Sequence, residues 1–242
     1  AQSDYYQATR GGGHGDYRLI VLAPASVQEM HDFVALGFDL AFKYRNPAMI
    51  LADGAIGQMM EKVVLAPQRP RKTNEEIAAE CRDWATYGKP ADRPRNVVTS
   101  LELQSEAMEK INLRLQAKYK AMEENEVRYE ALACDDADYV IVAFGSSARI
   151  CSATVEMARA EGIRLGMLRP ITLYPFPTRP IAELAARVKG FLSVELNAGQ
   201  MVEDVRLAVN GAVPVEHYGR QGGMIYSPDE VLAALKEKLI KA

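Results

Sequence analysis

The sequence predicts an α/β protein ending in a parallel sheet covered on both faces by helices. Three observations predict it. From Asp138 onward, branched apolar runs alternate with helix-patterned stretches four times in about 105 residues. Residues 18–53 read as a strand–helix–strand unit of crossover length. Between these regions, Ser100 to Leu132 holds neither Pro nor Gly and is rich in Glu, Lys, Met and Leu, the composition of one long solvated helix.

The elements follow in order. "RLIVLAP" (18–24) is short, apolar and branched, as a buried strand requires. Ser26 and Glu29 stand at capping-box spacing and open a helix. Its apolar face is Met30, Phe33, Val34, Gly37, Phe38 and Ala41, and Pro47 disfavours helix at Asn46. "AMILAD" (48–53) is the next strand. Residues 65–96 carry Pro and charge in "APQRPRKTNEE" and "YGKPADRPRN" and read as a connector with one short helix. Then come "YVIVAFG", a helix ended by Gly162, "IRLGMLRP", the helix "PIAELAARV", "GFLSVELN", a helix closed by Gly211, "PVEHYG", and a last helix with Ser227 as cap, Pro228 at its first position and Glu230 completing the box.

Bulk numbers exclude several classes. The chain has 242 residues, 48% hydrophobic and 25% charged, with Lys+Arg 29 against Asp+Glu 32. That is an ordinary globular balance with no basic excess for nucleic acid. No apolar run reaches the roughly 18 residues a membrane span needs, and no signal peptide opens the chain. Cys81, Cys134 and Cys151 are scattered and form no Cys-x-x-Cys pair. This chain alone therefore supplies no four-thiolate cluster, and the expectation is a reduced cytoplasm.

Five stretches are candidates for chemistry. "RGGGHGDY" (10–17) precedes a strand, whereas a phosphate loop follows one and opens a helix. It reads as a loop needing positive φ, with His14 either a proton donor or a surface residue. "FGSSARI" (144–150) has strand–turn–helix order, so Gly145, Ser146 and Ser147 either bind an anion or only turn and cap, the latter favoured. "LRPITLYPFP" (168–177) follows a strand end with three prolines and two aromatics, a site wall or an interface, the interface favoured. Glu195 and Asn197 end another strand, and Glu195 either pairs structurally with Arg169 on a neighbouring strand or serves catalysis, the pairing at least as well favoured. "YGRQGG" (218–223) is Gly-rich without a phosphate pattern.

Taken together, "QSDYYQATRGGGHGDYRLIVLAPASVQEM", "RNPAMILADGAIGQMMEKV", "RPITLYPFP" and "ELNAGQMVEDVRLAVNG" resemble the α subunit of 2-oxoacid:ferredoxin oxidoreductases, nearest the 3-methyl-2-oxobutanoate (2-oxoisovalerate) type. The resemblance implies the second half of a thiamine-diphosphate pyrimidine-type domain in residues 1–66. A connector with a long helix follows in 67–136, then a transketolase C-terminal-like parallel or mixed sheet domain in 137–242. It implies that a "YPITPS"-like motif, the glutamate facing the pyrimidine ring and a "GPSTG-PT" segment lie before residue 1, so no catalytic residue is named here. Gln2, Ser3 and Asp4 continue that segment and are expected near cofactor or substrate, with His14 and Asp16 behind them. Arg169, Pro170, Ile171, Thr172, Tyr174 and Phe176 are expected at an interface.

The implied reaction is oxidative decarboxylation of a 2-oxoacid (2-oxoisovalerate favoured, 2-oxoglutarate or pyruvate next) to acyl-CoA, with electrons to ferredoxin. Thiamine diphosphate with Mg would be shared with a β subunit. Iron–sulfur clusters and CoA would belong to β, γ or ferredoxin-like partners. Self-association is expected, and neither nucleic acid nor membrane is. The alternative is a non-catalytic assembly subunit of a thiamine-dependent complex.

Overall fold

The computed structural model describes residues 2–85, 88–89 and 91–241. It falls into two compact units, residues 1–64 with 117–242, and residues 65–116. In chain order the elements are α1 (Tyr5–Arg10), β1 (Ile20–Leu22), α2 (Val27–Tyr44), β2 (Ala48–Ile50), α3 (Gly54–Gln58), α4 (Asn74–Glu80), α5 (Ser105–Asn125), β3 (Tyr129–Leu132) and β4 (Tyr139–Val142). Then follow α6 (Gly145–Ala160), β5 (Leu165–Pro170), β6 (Thr172–Tyr174), α7 (Thr178–Ala185), β7 (Gly190–Glu195), α8 (Met201–Val209), β8 (Val215–Gly219) and α9 (Pro228–Leu235).

The larger unit contains two sheets. One has the order β3-β5-β4-β7-β8, parallel except for β3, which runs antiparallel to β5. Alternation along each strand sends side chains to opposite faces. Val140, Val142 and Phe191 face α7 and α8, while Ile141, Leu192 and Val194 face α6 and α9. Both faces are covered, which is why β5 and β7 are buried throughout. The second sheet has the order β2-β1-β6, with β1 parallel to β2 and antiparallel to β6.

Three elements differ from the sequence reading. The long helix is confined to Ser105–Asn125. At its end the buried Glu126 accepts from Lys43 Nζ (2.6 Å), Tyr44 Oη (2.7 Å) and Arg128 Nη1 (2.9 Å), and the chain then turns to pair β3 with the open edge of β5. "TLY" within the proline-rich stretch forms a strand, because β1 offers it an unpaired edge. Residues 5–10 form a helix that no apolar periodicity announced.

In the unit of residues 65–116, α4 carries a full capping box from Thr73 and Glu76 and buries none of its own residues. Arg82 pairs with Asp92 at 2.6 Å, and Cys81 is buried. Tyr87 and Pro90, part of the stretch read as connector, lie outside the described residues.

Candidate functional site

The chain leaves β4 through α6 to β5 on one side and later returns to β7 on the other side of β4. The carboxyl end of β4 is therefore the point where strand order reverses, the place where open α/β sheets bind ligands. Here it is filled by the protein itself. Ser146 N–H donates to Asp53 Oδ2 at 2.8 Å, and Asp53 Oδ1 accepts from Ile56 N–H at 3.1 Å, so one carboxylate caps both α3 and α6. Gly145 sits at φ +59°, and a Cβ there would lie 2.6 Å from Asp53 Oδ2 and 2.8 Å from Gln2 Nε2. Only glycine permits that approach.

Gln2 completes the plug. Its Nε2 donates to Phe144 O (2.8 Å) and Asp53 Oδ2 (3.3 Å), and its Oε1 accepts from Ser147 Oγ (2.9 Å) and Leu196 N–H (3.1 Å). Its own N–H donates to Leu196 O at 3.0 Å, and its carbonyl accepts from Asn197 Nδ2 at 3.0 Å. The amide is 5% exposed with every donor and acceptor used. Tyr226 Oη donates to Ser147 Oγ at 2.5 Å, and burial pushes the Tyr226 phenol well above its ordinary value.

Helix α1 is tied to α8 next to this plug. The fully buried Tyr5 donates through Oη to Asp204 Oδ2 at 2.5 Å, and Arg10 holds Asp204 with two hydrogen bonds of 3.1 and 2.9 Å. Burial first, and Asp204 second, raise the Tyr5 phenol well above 10. Gln200 reaches back to α1, donating to Ser3 O at 2.9 Å and accepting from Tyr6 N–H at 3.0 Å.

Glu195 does not pair with Arg169, because β4 lies between their strands. Arg169 instead makes a two-point contact with Glu29 of α2, at 2.9 and 2.6 Å. Glu195 is completely buried and accepts from Ser193 Oγ, Asn197 Nδ2 and the N–H groups of Gln200, Met201 and Val202. It is the internal anion of the α8 start, as Asp53 is of the α6 start. His217 Nε2 lies 4.0 Å from Glu195 Oε1, and burial lowers the imidazole's proton affinity despite that carboxylate.

The remaining predicted residues lie apart from the plug. Ser3, Asp4, His14 and Asp16 are exposed. Positive φ occurs at Gly11 (81°) and Gly15 (92°), and Asp16 also sits at 58°, so the glycine stretch is a bend, with Tyr17 Oη accepting from Gly12 N–H at 2.9 Å. In the proline-rich stretch, Arg169, Pro170, Thr172 and Tyr174 are buried within this chain, and Ile171 and Phe176 are half-buried. The residues the sequence reading missed are Asp53, Gln200, Asp204 and Tyr226. Only Asp53 carried a local signal, an Asp before a short helix in "LADGAI". The other three act across 79 or more residues of chain.

The geometry defines a class, an α/β protein whose N-terminal turn is plugged into the switch point of a helix-covered, mostly parallel sheet. The comparisons then fix the family. The family described as pyruvate flavodoxin/ferredoxin oxidoreductase, thiamine diphosphate-binding, matches residues 1–130, and pyruvate:ferredoxin oxidoreductase core domain II matches residues 137–231. The ketoisovalerate oxidoreductase subunit VorB of Methanothermobacter thermautotrophicus is 47% identical over 238 residues, covering 98% of this chain and 65% of that protein. The VorB subunit of Methanothermobacter marburgensis is 46% identical over 236 residues, with the same coverage of 98% and 65%. The 2-oxoglutarate synthase subunit KorA of M. marburgensis is 36% identical, covering 96% of this chain and 67% of that protein. A 2-oxoglutarate:ferredoxin oxidoreductase from Magnetococcus marinus shares the fold, with TM-score 0.75 and 22% identity over 97% of this chain and 44% of that one. The chain belongs to the pyruvate flavodoxin/ferredoxin oxidoreductase family. It spans about 65% of the length of the VorB subunits it matches. No helix among the described residues is long and apolar enough to cross a membrane.

Proposed function

We propose that this chain is part of the α subunit of a 2-oxoacid:ferredoxin oxidoreductase, with 2-oxoisovalerate as substrate. The observation that carries the reading is the gradient of identity, 47% to the ketoisovalerate subunit against 36% to the 2-oxoglutarate subunit, over nearly the same residues. Bound thiamine diphosphate would supply the nucleophilic carbon and the electron sink for decarboxylation. Among the described residues no group of three His, Cys, Asp or Glu side chains could hold a metal ion, and the α6 start already contains Asp53. The diphosphate and its Mg are therefore assigned to a partner β subunit, together with the iron–sulfur clusters and CoA of further partners. The exposed Ser3–Asp4 turn, with His14 and Asp16 beyond it, is assigned to the aminopyrimidine side. In this reading Gln2 anchors that turn and touches no ligand. Ile171 and Phe176 are assigned to a subunit interface.

The test is co-expression of the full-length protein with its partner subunits, followed by 2-oxoacid-dependent reduction of a viologen dye. We expect kcat/KM for 2-oxoisovalerate to exceed that for 2-oxoglutarate and pyruvate. Absence of turnover with all three, in a complex that assembles, would support a purely assembling subunit.

A further inference from the structure

Strand β3 forms one edge of the five-stranded sheet, and no strand lies beyond it among the described residues. Its ladder to β5 tells which of its peptide groups are free. Arg128 O accepts from Ile171 N–H at 3.0 Å, and the next residue, Tyr129, stands opposite Pro170, which has no N–H to give. Antiparallel pairs alternate, so Glu130 and Leu132 turn their peptide groups to β5, while Tyr129 and Ala131 turn theirs outward. All four residues of β3 are exposed, and no Pro, Lys or bulge blunts the edge. The opposite edge differs. Strand β8 is half-buried throughout, and Arg206 Nη2 donates to Val215 O at 3.4 Å. Each face of the β3 edge also opens on a cavity. Tyr129 lines a cleft of about 1050 Å³ with Leu173, Tyr174, Phe176 and Leu207. Glu130 and Leu132 line a second, of about 440 Å³, with Ala148, Met167 and Arg169. A strand laid beside β3 sends successive side chains alternately into these two spaces, the arrangement by which a sheet edge takes up an extended peptide.

Charge selects the occupant. Glu29 holds Arg169 at two points, and Glu130 Oε2 lies 3.0 Å from Arg169 Nε, so two carboxylates share one guanidinium. Arg149, beside the same cavity, is matched by Glu61 at 2.8 Å. One negative charge is left over, at the exposed Glu130. A second copy of this chain is a poor occupant. The antiparallel register that uses both outward residues sets Tyr129 against Ala131 of the copy and Glu130 directly against Glu130, in the pair type where side chains come closest. We propose that the β3 edge receives an extended segment of a different, partner subunit as a sixth strand. A Lys or Arg of that segment lies beside Glu130, its stem along Leu132 and Met167, and apolar residues on either side of it face the cleft that holds Phe176. The inference rests on the reading of this chain as one subunit of a complex, and adds where a partner docks and by what kind of segment.

The experiment follows amide hydrogen exchange, resolved to single residues, in the full-length chain alone and assembled with its partner subunits. In the chain alone, Tyr129 and Ala131 should exchange faster than Glu130 and Leu132. On assembly we expect Tyr129 and Ala131 to slow by about tenfold or more. A photo-crosslinking phenylalanine analogue placed at position 129 should join the purified complex to a segment of another subunit that carries Lys or Arg. Ala131→Pro removes one outward N–H without touching the β5 ladder. It should weaken assembly about fivefold, the worth of one main-chain hydrogen bond, with an unchanged melting temperature of the chain alone. Glu130→Gln should weaken assembly several-fold at low salt and less at high salt. Should Ala131→Pro fail to fold, exchange and cross-linking in the wild-type sequence background still decide the matter. Exchange at Tyr129 and Ala131 that assembly leaves unchanged overturns the proposal, as does a cross-link to residues 129–132 of a second copy or to this chain itself. A full-length chain that assembles with no partner overturns the subunit reading itself.

Discussion

Helices α6 and α9 pack side by side on one face of the five-stranded sheet, yet their first turns are held in opposite ways. α9 is capped from its own segment, with Ser227 Oγ accepting from Glu230 N–H at 3.3 Å, the Glu230 carboxylate accepting from Ser227 N–H at 2.7 Å, and Pro228 at the first position. α6 receives nothing from its own side chains, and its cap is the carboxylate of Asp53, 93 residues earlier in the chain. A local cap stabilises one helix. A remote cap couples two regions, because the α6 start is satisfied only when Asp53, the local cap of α3, is in place. Residues 1–64 are joined to the sheet through such remote caps, at the end of the sheet where a ligand would otherwise sit.

The comparison is tested hardest at Asp53. Asp53→Ala removes a charged acceptor from two buried N–H groups and from Gln2 Nε2, and we expect a loss of about 3 kcal/mol in urea unfolding of the full-length protein. Limited proteolysis should then cut near residues 53–58 sooner than in the wild type. A loss no larger than that of an ordinary local cap would mean the coupling is weak.

Glu195 is the intermediate case, a cap drawn from the strand immediately before α8. Glu195→Gln keeps the shape but replaces one acceptor oxygen by a donor facing N–H groups, and we expect a loss of about 2 kcal/mol by the same measurement. Its neighbour His217 gives a pH signature. Burial lowers the folded-state pKa of His217. The folded protein therefore disfavours the charged ring, and stability is lost as pH falls through the unfolded value near 6.5 and levels off below the folded one. Replacing His217 by Gln should flatten that part of the stability profile between about pH 7 and pH 5. A profile unchanged by the substitution would show that His217 is solvated equally in both states.

The same contrast marks how far the sequence could be read. The α9 start was legible to the residue, because Ser, Pro and Glu at fixed spacing carry their own mechanism. The alternation of strands and helices after Asp138 was legible because hydrophobic period follows burial. "FGSSARI" gave the strand–turn–helix order, but nothing in it says that the anion at its helix start is Asp53. Glu195 stands out in the sequence as a charge at a strand end, but its pairing with Arg169 does not occur, since strand order is not written in strand sequence. Strand β3 was hidden by a helix-forming composition, because its conformation is set by the edge of β5. The resemblance marked Gln2 as near cofactor or substrate, but its amide's bonds to Asp53, Phe144, Ser147 and Leu196 join segments far apart in the chain and had no signal in the sequence.

The smallest expected effect completes the comparison. Ser227→Ala removes one half of a capping box that touches only α9. It should lower stability by about 1 kcal/mol. The loss should be local, with faster amide exchange over the first turn of α9 and no change at α3 or residues 1–10. Asp53→Ala should raise exchange in all three places, at α3, at the α6 start and around Gln2. If Ser227→Ala spread its effect as widely, the remote cap would not be the link between the two regions. The packing of α6 against α9 would then carry the coupling instead.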